Sequence, residues 1–270
     1  MIVLLAAALV FSPDLGPPEG MTGMEDGMEG EIRMTILFDN FSDDPGFTTG
    51  WGFSALLETR DHTLLFDTGA DGGILLENMR LLGKDPLDID VVVISHAHAD
   101  HTGGLQALLD LGIRPTFYLL SAFPDQLKEG LAPRGEVMEA VAGQEIIPGV
   151  FTTGMVGSTI PEQALILKTA EGLIVLTGCA HPGIVEMAER TRDLFPDPLR
   201  AVLGGFHLMQ APEERILSVI NDLQAMGIQE AGPTHCSGET AMNLFSEAFG
   251  EGYLTMGVGK VLTLRTVGPW

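Results

Sequence analysis

Basic residues are scarce in this chain: 14 lysines and arginines stand against 37 aspartates and glutamates, a formal net charge of −23 over 270 residues. A surface of that sign repels a phosphate backbone, so nucleic acid is excluded as the principal partner and a small-molecule substrate is expected. Cysteine is limited to Cys179 and Cys236. That is no disulfide framework, and it points to a reduced, cytoplasmic setting. The apolar stretch Ile2–Phe11 is about half the ~20 residues a membrane-spanning helix needs, and no cationic residue precedes it, so stable membrane insertion is not expected. A phosphate-cradling glycine loop with its lysine is missing, as is a Gly-x-Ser-x-Gly elbow, which removes P-loop and serine-hydrolase chemistry. With 45% apolar residues the chain can bury a sizeable core, and no long interior linker divides it.

Metal-binding side chains are concentrated instead. Ser95-His96-Ala97-His98-Ala99-Asp100-His101-Thr102-Gly103-Gly104 follows the β-branched run Val91-Val92-Val93-Ile94. The run reads as a buried strand whose end delivers the ligands. Strand alternation would put His96 and His98 on one side to hold one ion, and the turn that follows lets Asp100 and His101 face a second.

Hydrophobic periodicity predicts mixed α/β structure. The segment from Ser12 to Arg33 is rich in Pro, Gly, Met and acids without periodicity, so residues 1–33 read as a leader, disordered or signal-like, and 34–270 as the functional domain with its first strand at Met34. Residues 52–58 and 63–67 form a hairpin with His62 in its solvated turn. A helix over 75–82 ends at Gly83, and another runs from Gly104 to Leu111 before the strand Thr116–Leu119. Residues 122–159 loosen into a stretch suited to a lid or substrate wall, with a short helix at 136–142. Strands at 164–167 and 173–176 lead to Cys179 and His181. A helix starts at Pro182, a strand at 201–203 ends near His207, a helix follows Pro212, another follows His235, and Val261–Leu264 closes the chain.

The His-x-His-x-Asp-His string, with Leu64-Leu65-Phe66-Asp67-Thr68-Gly69 before it and Thr102-Gly103-Gly104-Leu105 after it, resembles the metallo-β-lactamase superfamily from about Met34 to the end. Three further strings, Thr177-Gly178-Cys179-Ala180-His181-Pro182-Gly183, Gly204-Gly205-Phe206-His207-Leu208 and Pro233-Thr234-His235-Cys236, are similar to the branch containing the dihydropterin-methyl-ribofuranosylaminobenzene-phosphate synthase of methanopterin biosynthesis. The resemblance implies an αββα sandwich with the metals at the strand ends. It also implies Zn2+, one or two ions, with Mn2+ or Fe2+ as alternatives.

This sequence departs from the superfamily's usual ligand set. No histidine lies between His101 and His181, and Cys179 stands where a bridging aspartate is usual. Either Cys179 ligates as thiolate or His181 serves as third ligand of the first ion; His181 is the preferred assignment, with Cys179 as close support. Among His207 and His235, His235 is assigned to metal and His207 to substrate contact or general acid work, while Asp100 orients a water or protonates a leaving group. The expected metal set is therefore His96, His98, Asp100, His101, Cys179, His181 and His235. Three functions follow: a metal-dependent hydrolase acting on a small, anionic or pterin-like substrate; a synthase joining a dihydropterin diphosphate to a ribofuranosylaminobenzene phosphate; or a non-catalytic metal sensor.

Overall fold

The computed structural model describes residues 30–266. The expectations placed on residues 1–29 lie outside them.

Two sheets face one another. Numbered in chain order, the first contains β1 (Glu31–Phe38), β2 (Ser54–Glu58), β3 (Thr63–Phe66), β4 (Val91–Val93), β5 (Thr116–Leu119) and β6 (Glu136–Glu139). The second contains β7 (Glu145–Ile147), β8 (Val150–Thr152), β9 (Leu165–Thr169), β10 (Gly172–Thr177), β11 (Leu199–Gly205) and β12 (Glu230–Thr234). The last strand, β13 (Val261–Arg265), returns to the first sheet, giving the orders β13-β1-β2-β3-β4-β5-β6 and β12-β11-β10-β9-β8-β7.

Alternation explains the layering. Ile32, Met34 and Ile36 of β1, Val91 and Val93 of β4, Leu165 and Leu167 of β9, and Ile174 and Leu176 of β10 pack into one core between the sheets. Side chains of opposite parity, such as Leu65, Val92 and Ile94, instead meet α1 (Gly72–Leu81) and α3 (Leu105–Asp110) on the outer face of the first sheet. On the second sheet, Leu173, Val175 and Val202 meet α5 (Ile184–Leu194), α6 (Glu213–Ala225) and α7 (Glu239–Phe249). The result is the αββα sandwich. In α6, Ile216, Val219, Ile220 and Leu223 form the buried stripe, the three-and-four spacing that the sequence showed. Helix α1 starts where the Asp71 carboxylate accepts from the N–H groups of Gly73 and Ile74, and it ends before Gly83 at φ 66.

Four expectations need correction. The first strand begins at Glu31, not Met34, and Ile32 is fully buried in it. Residues 136–139 are a strand rather than a helix, because β5 presents an open parallel edge that pairs Thr116 through Leu119 with Glu136 through Glu139. The segment 122–159 is not a lid: besides α4 (Asp125–Leu131) it supplies the edge strand β6 of the first sheet and, in the second, the edge strand β7 and its neighbour β8. Helix α5 starts after Gly183 rather than at Pro182, because residues 179–181 are tied into a turn closed by Gly183 N–H to Ala180 O at 2.8 Å. Among the described residues, no helix is long and apolar enough to cross a membrane.

Candidate metal centre

The strand β4 stops at Val93, and the chain then bends through Ser95 to His98, which caps the short helix α2 (Ala99–Thr102). The turn, not strand alternation, brings His96 and His98 together. His96 Nε2 lies 3.1 Å from His98 Nδ1 and 3.2 Å from His181 Nε2, so three imidazoles from two loops converge. Beside them, Asp100 Oδ2 lies 3.6 Å from His101 Nε2 and 3.5 Å from His235 Nε2. The Cys179 sulfur stands 3.2 Å from His101 Nε2. Its ligand atom falls within 4.8 Å of those of His96 and His181 on one side, and of Asp100, His101 and His235 on the other. Cys179 and His181 are thus neighbours, both within reach of the His96 ring.

Three of the rings are held from behind. Ser95 Oγ donates to Asp67 Oδ2 at 2.7 Å, so it must accept from His96 Nδ1 at 2.9 Å, which bares His96 Nε2. His101 Nδ1 donates to Asp67 Oδ2 at 2.7 Å, baring its Nε2 likewise. Asn40 Nδ2 donates to His235 O, so its Oδ1 accepts from His235 Nδ1 at 3.0 Å. That leaves His235 Nε2 buried with no hydrogen-bond partner among the described residues. A buried, unpartnered lone pair aimed at a carboxylate is costly unless a cation lies between them. The donor set therefore fits a divalent metal.

Backbone strain converges on the same place. The four non-glycine residues with positive φ among those described are Asp67 (58), Ala180 (54), His207 (51) and His235 (50). Glu162 fixes the second-half loop: its carboxylate accepts from the N–H groups of Cys179, Ala180 and His181, each at 2.8 Å. Gly178 is bare because a Cβ there would collide with Ser95 Oγ and lie 2.7 Å from Asp67 Oδ2.

The electrostatics suit ligation. Burial, then the neighbouring imidazoles, hold His96 well below the ordinary histidine range, and burial together with His207 and His98 brings His181 down to about 4. Both are neutral donors near pH 7. Burial alone would raise the Asp100 carboxyl, yet the His235 and His101 imidazoles keep it below the usual carboxylate range. Burial opposes protonation of His101, but the charge and hydrogen bond of Asp67 prevail and push it up. The Cys179 thiol is raised by its hydrogen bond to Cys236 and by burial, so its ionisation calls for a metal. Burial raises Glu162 to about 7 against its three backbone donors.

The seven residues expected as ligands thus surround one centre. His207 stands apart: its ring packs on His181 with centroids 4.2 Å apart and is shared with Cys236. His62 lies elsewhere, 3.1 Å from Asp90 on the surface. Gly204 and Gly205 are required by packing, because Cβ atoms there would strike Thr177 O and Gly178 O of the neighbouring strand end. Sequence reasoning missed the supporting roles of Asn40, Asp67, Ser95 and Glu162. Asp67 sat in a string already noted; nothing in the pattern pointed to Glu162.

The sequence profile of the metallo-beta-lactamase superfamily matches residues 49–257. The chain is 28% identical to the 7,8-dihydropterin-6-methyl-4-(beta-D-ribofuranosyl)-aminobenzene-5'-phosphate synthase of Methanocaldococcus jannaschii, over 88% of this chain and 99% of that one. Among solved structures it is similar to a metal-dependent hydrolase of the beta-lactamase superfamily, at 27% identity and TM-score 0.73, covering 87% of this chain and 99% of the other. The metallo-beta-lactamase fold protein YhfI from Bacillus subtilis shares the fold at TM-score 0.63 and 14% identity, over 86% of this chain and 99% of that one.

Proposed function

Because this chain belongs to the metallo-beta-lactamase superfamily, we propose that it is a metal-dependent synthase that joins a dihydropterin diphosphate to a ribofuranosylaminobenzene phosphate. The observation that carries this reading is the end-to-end likeness to the methanocaldococcal synthase, 88% of this chain against 99% of that one. That likeness favours coupling over the simple hydrolysis that the histidine string alone suggested. His96, His98 and His181 would hold one ion and Asp100, His101 and His235 the other, with Cys179 between them. Sulfur and imidazole donors suit Zn2+ or Fe2+ better than Mg2+ or Ca2+. When bound, the ions would supply the positive charge that this acidic chain lacks, stabilising a departing diphosphate or acidifying a water.

The chain's own residues divide the remaining work. Asp100 is the one carboxylate of the centre that keeps some exposure, 18% of its side chain, so as an ionised group it can both ligate and orient a water. His207, exposed beside His181, would touch substrate at the mouth. Asn40, Asp67 and Ser95 hold ring orientation, and Glu162 holds the Cys179–His181 loop. Two free thiols agree with a cytoplasmic location.

The likeness to a metal-dependent hydrolase at TM-score 0.73 favours a second reading, hydrolysis of a small anionic substrate. Incubation of the zinc-loaded protein with both phosphorylated substrates, followed by mass spectrometry, separates the two. A coupled product with released diphosphate supports the synthase; dihydropterin alcohol without coupling supports the hydrolase and overturns the first reading.

A further inference from the structure

One soft donor, Cys236, is left over from the centre, and it shares a neighbourhood with Cys179 and His207. The ends of β11 and β12 run in parallel, with Gly205 opposite Thr234, so the turn Phe206-His207 and the turn His235-Cys236 lie side by side. His235 faces the metal centre, while Cys236 points to its flank, where its thiol donates to Cys179 O at 3.6 Å. The Sγ atoms of Cys179 and Cys236 and a ring nitrogen of His207 all fall within 4.8 Å of one another. Donors on one small ion sit about 3.5 Å apart, given metal–sulfur and metal–nitrogen bonds of roughly 2.3 and 2.0 Å. Ordinary side-chain rotation closes that gap.

The surroundings show that this arrangement is built. A Cβ on Gly205 would lie 2.8 Å from Cys236 Sγ, so the bare glycine makes room for the sulfur. His207 adopts φ 51, an unfavourable conformation for a non-glycine residue, and its ring lies 4.2 Å from that of His181 between centroids, with a ring nitrogen also within reach of Cys236. Cys236 is buried, and neither reading of the reaction gives it a role.

We propose that Cys179, Cys236 and His207 form a flanking thiophilic site that takes a soft closed-shell cation of the cuprous type, and that filling it draws Cys179 from the shared position and His207 from substrate. Two sulfurs and one imidazole, with no carboxylate in the group, make a softer donor set than the centre's and favour such an ion, with zinc as its competitor. Binding releases up to two protons, one from each thiol, and involves no electron transfer. Occupation is therefore inhibitory.

The test is an anaerobic titration of the zinc-loaded protein with cuprous ion against bicinchoninate as competing chelator, with divalent metal content followed in parallel. Wild type should take up one cuprous equivalent, with Cys236→Ser weaker by about a hundredfold and His207→Ala, a change at an exposed position that spares the core, by about tenfold. His62→Ala, far from the site, should match wild type. Equal cuprous affinity in Cys236→Ser and wild type, or no tight equivalent in wild type, overturns the proposal. His98→Ala keeps the tests distinct: it should lose divalent metal from the centre while retaining the cuprous equivalent. Loss of the cuprous equivalent in His98→Ala with retention in Cys236→Ser would place the soft ion among the imidazoles and overturn the flanking site.

Discussion

Replacing Asn40 by alanine tests how the centre prepares a ligand. Its side chain accepts from His235 Nδ1 at 3.0 Å and from Gly52 N at 3.1 Å, and it donates to His235 O at 3.2 Å. Three neutral hydrogen bonds at a net of about 1 kcal/mol each, discounted for partial burial, give a loss of about 2–3 kcal/mol. For a chain of this length that lowers the melting temperature by about 8 °C. The functional consequence should exceed the structural one. Without Asn40 the His235 ring is free to change tautomer and to relax from φ 50, and affinity at the Asp100–His101–His235 position should fall by about 10–100-fold. Asn40→Asp keeps the acceptor for His235 Nδ1 and should keep the metal. Urea denaturation of the chelator-treated protein reads the first effect, and competition against a chromophoric zinc chelator reads the second. An Asn40→Ala protein with wild-type stability and metal affinity would refute the view that Asn40 sets the His235 tautomer.

Other outcomes follow from the same geometry. His96→Ala and His98→Ala should each lose metal and activity while changing stability little, as elemental analysis and thermal melting would show; full metal content in both would defeat the assignment. His181→Ala should empty the His96–His98 position, whereas Cys179→Ser should weaken both positions and abolish a thiolate-to-cobalt charge-transfer band that Cys236→Ser leaves in place. Burial raises the Asp39 carboxyl from 3.8 to about 6, despite its hydrogen bond from Thr234, so the native state binds this proton more tightly than the unfolded chain does. The stability it contributes, about 3 kcal/mol, is fully present below pH 3.8 and is lost as pH rises through 6. Asp39→Asn should flatten the pH dependence of urea stability across that window; an unchanged slope would contradict it.

The candidate ligands of the first half were legible because they crowd into six residues: four metal-binding side chains directly after a β-branched strand form a pattern that spacing alone displays. Strand and helix faces were legible wherever period-two or three-and-four spacing was unbroken, as in β4 and α6. Long-range tertiary pairing was not. The 136–139 strand owes its conformation to an edge some twenty residues earlier. Glu162 acts on backbone N–H groups, which carry no sequence signature. The choice between Cys179 and His181 could not be resolved from spacing, because the turn that Glu162 closes brings both to the same centre.

The proposed function has two ions joined across Cys179. Anomalous diffraction at the zinc edge from zinc-loaded crystals tests it most directly. Two peaks are predicted, one bonded to His96, His98 and His181 and one to Asp100, His101 and His235, each within about 2.3 Å of the Cys179 sulfur. A single peak, or two peaks with Cys179 beyond bonding distance of both, would contradict the account.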